Sequence, residues 1–225
     1  MSKELKIAID GPAAAGKSTI AKLTAEKLGY TYIDTGAMYR ALTHKALVQN
    51  IDTNDGDKLT ALLQDTAIVL LPSANGQKVI VDDVNVSEEI RSQQVTAHVS
   101  AVAAHSGVRT LMVEKQQQLA EGMGVVMDGR DIGTAVLPNA ELKIFMTASV
   151  EERAMRRFLE NEKRGMATPL EQLAAEISER DRADSERAVS PLKQAEDAIV
   201  VDTTSMTIEE VARKISKLAE ERVRI

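Results

Sequence analysis

The chain has 225 residues, 28 of them Lys or Arg against 34 Asp or Glu, with a formal charge of −6 and no cysteine. The missing cysteine excludes disulfides, thiol nucleophiles, iron–sulfur clusters and thiolate-bound zinc. The acidic balance argues against general affinity for nucleic acid or anionic membranes. Apolar residues make up 44% but aromatics only 2%, so aliphatic side chains and nine methionines must fill the core. The first ten residues lack the apolar centre of a signal peptide, and no run approaches 18 apolar residues, so a cytoplasmic protein is expected.

Short apolar runs at residues 5–10, 31–34, 124–128, 142–146 and 199–202 alternate with helical patterns. The helical patterns cover 17–28, 37–49, 93–104, 108–121, 150–163, 170–187 and 208–222. This alternation predicts an α/β fold with a parallel sheet. Asp10, Asp34 and Asp128 end three of the apolar runs, at the strand edge where open α/β sheets bind ligands. Ser149 with Glu152, and Thr207 with Glu210, have capping-box spacing at two helix starts. Residues 50–99 break the rhythm. There Ile68 to Leu71 and Lys78 to Val81 flank Asn75-Gly76, which predicts an antiparallel hairpin within an inserted segment rather than a plain surface excursion.

The most specific string is Gly11-Pro12-Ala13-Ala14-Ala15-Gly16-Lys17-Ser18, which fits G-x-x-x-x-G-K-[ST] between a strand and a helix. Its glycines let backbone N–H groups wrap a phosphate at the helix N-terminus. Lys17 then reaches the β/γ-phosphates, and the Ser18 hydroxyl suits Mg²⁺. A P-loop fits either a phosphotransferase or a nucleotide-gated switch. The switch strings N-K-x-D and D-x-x-G do not occur in the chain.

Further elements point to a second anionic substrate. Arg40, in Asp34-Thr35-Gly36-Ala37-Met38-Tyr39-Arg40, leaves the first turns of a helix beside the P-loop edge and can fork onto phosphate. Asp128, in Asp128-Gly129-Arg130-Asp131, sits where a carboxylate orients hydrated Mg²⁺, and Arg130 can reach the cleft. The apolar stripe Leu170, Leu173, Ile177 continues into Arg180, Asp184 and Arg187, so a core-facing side turns charged. Arg153, Arg156 and Arg157 share spacings that give a cationic helix face, and Lys163-Arg164-Gly165 reads as a mobile tip beyond it. His44, His98 and His105 have no metal-ligand spacing and read as structural or exposed.

With these strings in place, the chain resembles the bacterial-type cytidylate kinases. The resemblance runs in order through Ile9-Asp10-Gly11-Pro12, the Asp34 to Arg40 string, Asp128-Gly129-Arg130-Asp131-Ile132-Gly133-Thr134, Glu179-Arg180-Asp181, Ser190-Pro191-Leu192 and Ala195-Glu196-Asp197-Ala198. It implies a P-loop nucleoside-monophosphate-kinase fold: a five-stranded parallel core at about 1–49, 100–150 and 188–225, an inserted monophosphate-binding region at about 50–99, and a lid region at about 151–187. It also implies transfer of the γ-phosphoryl of ATP to CMP or dCMP with Mg²⁺, by a monomer acting on small nucleotides. Gly11, Pro12, Ala13, Ala14, Ala15, Gly16, Lys17, Ser18 and Thr19 would bind ATP. Tyr39, Arg40, Arg130 and Arg187 would hold the acceptor phosphate. Ser100, Arg109 and Asp131 would read the cytosine edge, with Thr35 nearby, and Arg180 and Asp184 would address the sugar. Arg156 and Arg157 would be lid arginines. Thr35 stands where that family often has Ser, keeping the hydroxyl and adding a methyl. P-loop kinases for AMP, UMP or a hydroxylated metabolite are the competing enzymatic reading. Arg109 and Asp131 favour cytosine, because a carboxylate accepts from its 4-amino group and an arginine donates to O2 and N3.

Overall fold

A computed structural model describes residues 4–73, 76–163 and 165–223. In chain order the elements are β1 (Lys6–Asp10), α1 (Lys17–Leu28), β2 (Thr31–Asp34), α2 (Thr35–Val48), α3 (Gly56–Gln64), β3 (Ile68–Ser73), β4 (Gly76–Val81) and β5 (Val84–Asn85). There follow α4 (Gln93–Ala104), α5 (Ser106–Leu119), β6 (Val125–Gly129), β7 (Leu142–Thr147), α6 (Val150–Lys163), α7 (Leu170–Glu186), β8 (Ile199–Asp202) and α8 (Ile208–Val223).

Five strands form a parallel sheet in the order β2-β6-β1-β7-β8. The two-residue period of a strand sorts its side chains between two faces. Ile7, Ile9, Val126, Leu142 and Ile144 pack with α1 and α8 through Ile20, Ala21, Val211 and Ile215. Ala8, Val125 and Met127 face the other way, onto Ile132, Val136 and Leu137. The register sets Ile9 beside Asp128 and Asp34 beside Asp128. The P-loop, the start of α2 and the end of β6 therefore emerge together at one sheet edge.

Beside the sheet, α2, α3, α4 and α5 bury a second cluster that includes Met38, Leu42, Leu59, Leu63, Val102 and Met112. Helix α3 is an addition to the predicted elements. Its entry, Asp52-Thr53-Asn54-Asp55-Gly56-Asp57, reads as loop, yet Asp55 accepts from the Lys58 N–H at 3.0 Å and caps a helix that buries Leu59 and Leu63. Helix α2 begins two residues earlier than predicted, because Asp34 caps it by accepting from the Ala37 N–H at 2.9 Å.

The hairpin forms, with Ile68 opposite Val81, Leu71 opposite Lys78 and Gly76 paired with Ser73 as the first residue of β4. Asn75, in its turn, lies outside the described residues, as does Arg164 beyond α6. A third strand, β5, returns through Asp82-Asp83, both in the left-handed region at φ 47° and 68°, a turn that aspartates tolerate without glycine. Val79 and Val81 pack on Ala37 and Ala41 of α2. Gln77 adds a sheet-like contact on the free edge of β2: its amide donates to the Tyr32 carbonyl at 2.7 Å and accepts from the Asp34 N–H at 3.2 Å. The Thr207–Glu210 capping box forms in both directions. Only half of the Ser149–Glu152 box forms. The Glu152 N–H reaches Ser149 Oγ at 3.2 Å, but the Glu152 carboxylate turns to Arg156 at 3.0 Å.

Candidate active site

The P-loop runs from β1 into α1 around backbone conformations that demand small residues. Gly11 has φ +148°, and a Cβ there would lie 2.1 Å from the Met146 carbonyl oxygen of β7. Gly11→Ala is therefore expected to lose at least about 3 kcal/mol of stability, since backbone must move and the conformation is strained as well. A denaturant titration checks this; an unchanged midpoint would contradict the close packing. Gly16 is left-handed too, and so is Ala14 at φ +58°. Lys17 Nζ donates to the Pro12 carbonyl at 2.7 Å, so the ammonium sits within the loop. Burial first, and Arg130 second, lower its pKa to about 7, against the pull of Asp128 and Asp10.

At the end of β6, Asp128 accepts from Ser18 Oγ and from Tyr32 Oη, each at 2.8 Å. Burial, reinforced by Asp34, pushes its carboxyl up to about 6. The backbone carbonyl of Asp128 accepts from Thr35 Oγ1 at 2.7 Å, so the Thr35 hydroxyl fixes the strand end while its side chain lines the cavity.

Next to the P-loop lies a cavity walled by α2, α4, α5, the turn after β6, α6 and α7. The charged stripe of α7 turns inward as predicted: Arg180 and Asp184 face the cavity. Arg187 does so as well, from the extended residue that ends the helix. Asp184 accepts from Arg130 Nε at 2.8 Å and lies 3.5 Å from Arg187 Nη1. Arg187 Nε donates to the Ser190 carbonyl at 2.6 Å. Arg40 is held by Asp34 at 2.9 Å. Arg109, 1% exposed, pairs with Asp131 through Nη2 and with the Ala103 carbonyl at 3.1 Å, its guanidinium 5.5 Å from the Tyr39 ring centre. Ser100 joins the wall from α4.

Seven cationic side chains (Lys17, Arg40, Arg109, Arg130, Arg157, Arg180 and Arg187) thus border one cavity with four carboxylates, from Asp34, Asp128, Asp131 and Asp184. Burial, with Arg130, Arg40 and Arg157 nearby, brings the Arg180 pKa down to about 10. Several donors there are buried without a hydrogen-bond partner among the described residues: Nε of Arg40, Arg109 and Arg180, Nη2 of Arg187, and the Tyr39 hydroxyl. Buried unpaired donors are costly. Clustered in this way, they mark a place built for an anion.

The three α6 arginines, expected on one cationic face, separate. Arg157 reaches the cavity. Arg156 lies over the far side of the P-loop, donating to the Ala15 carbonyl at 3.4 Å and the Thr203 carbonyl at 2.7 Å. Arg153 is buried against Ala13 and Asp181. Three pairings at the site go beyond the sequence reading, which has Asp10 only as a strand end and Arg153 only as part of a cationic face. Tyr32 orients Asp128 from β2. Asp10 accepts from the Ile132 and Gly133 N–H groups at 2.8 and 2.7 Å, anchoring the single π-helical turn (Ile132–Val136) that follows Arg130-Asp131. Burial raises that carboxyl to about 6, opposed by the two amides. The third is the Arg153–Asp181 pair. For Asp10 the strand-ending position was the signal, and its partners lie more than 120 residues away.

The cytidylate kinase family model matches residues 7–221. The chain belongs to the cytidylate kinase family. A cytidylate kinase of Lysinibacillus sphaericus is 60% identical over 99% of this chain and all of its own length. A cytidylate kinase of Bacillus subtilis is 58% identical over the full length of both. Among solved structures, a shikimate kinase from Bacteroides thetaiotaomicron superposes with a TM-score of 0.51 at 15% identity, covering 97% of this chain and 99% of that one, which speaks to the fold alone. Membership of the cytidylate kinase family makes the chain a kinase, and the five-stranded parallel sheet flanked by helices is the P-loop kinase architecture expected from the sequence. No helix among its described residues is long and apolar enough to cross a membrane.

Proposed function

We propose that the chain transfers the γ-phosphoryl group of ATP to CMP and dCMP, giving ADP with CDP or dCDP. The observation that carries this reading is the cluster of unpaired cationic donors between the P-loop and the Arg109–Asp131 pair. An acceptor phosphate oxygen attacks the γ-phosphorus in line, and the bond from that phosphorus to the β,γ-bridging oxygen breaks. Phosphoryl transfer of this kind asks for positioning and positive charge rather than a covalent intermediate. The acceptor phosphate is already ionised near neutrality, so no strong base is required.

The residues divide the work. Gly11 to Thr19 cradle the donor phosphates, with Lys17 at the β/γ-phosphates. Arg40, Arg130, Arg187 and Tyr39 receive the acceptor phosphate. Asp131 accepts from the cytosine 4-amino group, while Arg109, whose Nε is unpaired, donates to O2 or N3. Ser100 and Thr35 complete the base wall, and Arg180 with Asp184 take the sugar. Arg157, and Arg156 on the donor side, neutralise the phosphates as the region at about 151–187 closes and excludes water. The inserted region at about 50–99 supports the acceptor through α4. Ser18 and Asp128 offer hard oxygen donors 2.8 Å apart, a set that suits Mg²⁺ bound chiefly through phosphates and water. Bound there, Mg²⁺ would neutralise charge on the β- and γ-phosphate oxygens. We take the enzyme to be a cytoplasmic monomer acting on small nucleotides rather than on nucleic acid or membranes.

Phosphorus NMR of the full chain with ATP, CMP and Mg²⁺ tests the reaction. Equal growth of ADP and CDP signals, stopped by a chelator, is expected. Release of inorganic phosphate with CMP unchanged would contradict the reading.

A further inference from the structure

We propose that Arg153 and Asp181 are positioning residues for the donor nucleotide, an ion pair that holds the phosphate loop in its binding shape before nucleotide arrives. The inference rests on reading that loop as the ATP site. Both backbone groups of Ala13 are taken by the pair. Its N–H donates to Asp181 Oδ1 at 3.3 Å, and its carbonyl accepts from Arg153 Nη1 at 3.2 Å. The same Nη1 donates to Asp181 Oδ2 at 2.5 Å, closing a ring that joins α6, α7 and the loop. Arg153 Nε donates to the Ala148 carbonyl at 2.9 Å, which fixes the plane of the guanidinium. Arg153 is only 4% exposed, and neither it nor Asp181 lines the acceptor cavity.

The next residue shows what the ring accomplishes. Ala14 stands at φ +58°, a conformation that glycine takes freely and alanine resists. Such a residue stays strained only where its surroundings over-determine it. Capturing the N–H and carbonyl of Ala13 supplies that constraint one residue upstream. A charge-assisted ring is stronger and more directional than neutral hydrogen bonds. Pre-forming the loop removes an ordering cost that would otherwise fall on nucleotide binding.

Two variants test this on the full chain, Asp181→Asn, which keeps shape but loses charge, and Arg153→Lys, which keeps charge but loses the fork. Calorimetry with a non-hydrolysable ATP analogue and Mg²⁺ should show about tenfold weaker binding in each, with CMP binding within about threefold of the unaltered chain. Hydrogen–deuterium exchange should quicken in the peptide spanning residues 11–16 while the strands stay protected. Adding Ala14→Gly to Asp181→Asn should recover at least about threefold in analogue affinity, because glycine needs no external constraint at that φ. Unchanged analogue affinity and loop exchange in folded variants would overturn the proposal. So would an equal loss of CMP binding, or no recovery from Ala14→Gly. Failure of the unaltered chain to bind the analogue would instead defeat the ATP reading, and loop exchange would still decide whether the ring holds the loop.

Discussion

Lys17→Ala is expected to lower turnover by about 10³-fold, the scale found when one preorganised charge is removed from a transition state. The fold should survive. In the folded protein Lys17 holds its proton less tightly than an ordinary lysine at 10.5. Its charge therefore costs stability below about pH 7, and the cost fades as pH rises from about 7 towards 10.5. Removing the ammonium relieves that cost, so thermal unfolding at pH 7 should not move downwards. Near-normal turnover in a folded Lys17→Ala protein would sink the mechanism. The same shift carries a consequence for binding. Donor phosphates favour the ammonium and raise its pKa, so binding of fully ionised ATP·Mg²⁺ at pH 8 should take up close to about one proton. Affinity should then fall as pH rises above about 7. Calorimetry in buffers of different ionisation enthalpy measures the uptake, and Lys17→Ala should abolish it. Buffer-independent heats in the unaltered chain would contradict the assignment.

Asp131→Asn carries the second large effect, this time on selectivity. One carboxylate oxygen of Asp131 is held by Arg109, and the other has Arg187 no nearer than 3.7 Å, leaving capacity for an amino group. Asparagine exchanges an acceptor for a donor, which suits the 4-carbonyl of uracil instead. The kcat/KM for CMP should drop by about 10²-fold, and the preference for CMP over UMP should shrink by a similar factor. Steady-state kinetics with both nucleotides checks it. An unchanged CMP-to-UMP ratio would remove Asp131 from base reading while leaving phosphoryl transfer intact.

What the sequence made legible was local. The P-loop lies within eight consecutive residues, the Thr207–Glu210 cap within four, and the two hairpin runs, 68–71 and 78–81, lie close on either side of Asn75-Gly76. In each case the interacting groups are near neighbours along the chain. The charged continuation of the Leu173–Ile177 stripe was readable too, because helical period alone turns Arg180 and Asp184 towards the core side. Tertiary partners were not. Tyr32 meets Asp128 across 96 residues, and Arg153 meets Ala13 across 140. Period says that Arg153, Arg156 and Arg157 are neighbours on a helix, but not which of them meets the loop backbone and which meets the cavity. Helix α3 stayed hidden because Asp52 to Asp57 have turn composition, and its apolar signal, Leu59, Leu62 and Leu63, spans little more than one turn. Periodicity could not group Tyr39, Arg40, Ser100, Arg109, Arg130, Asp131 and Arg187, which come from separate elements and meet around one cavity; the family resemblance named them together.

A coupled ADP-release assay with ATP·Mg²⁺ and, in turn, CMP, dCMP, UMP, AMP and GMP tests the central claim most directly. Fast turnover with CMP and dCMP and little with the other three is the predicted result. Turnover with UMP equal to that with CMP would contradict the roles given to Arg109 and Asp131, and no turnover with any of the five would contradict the proposed function itself.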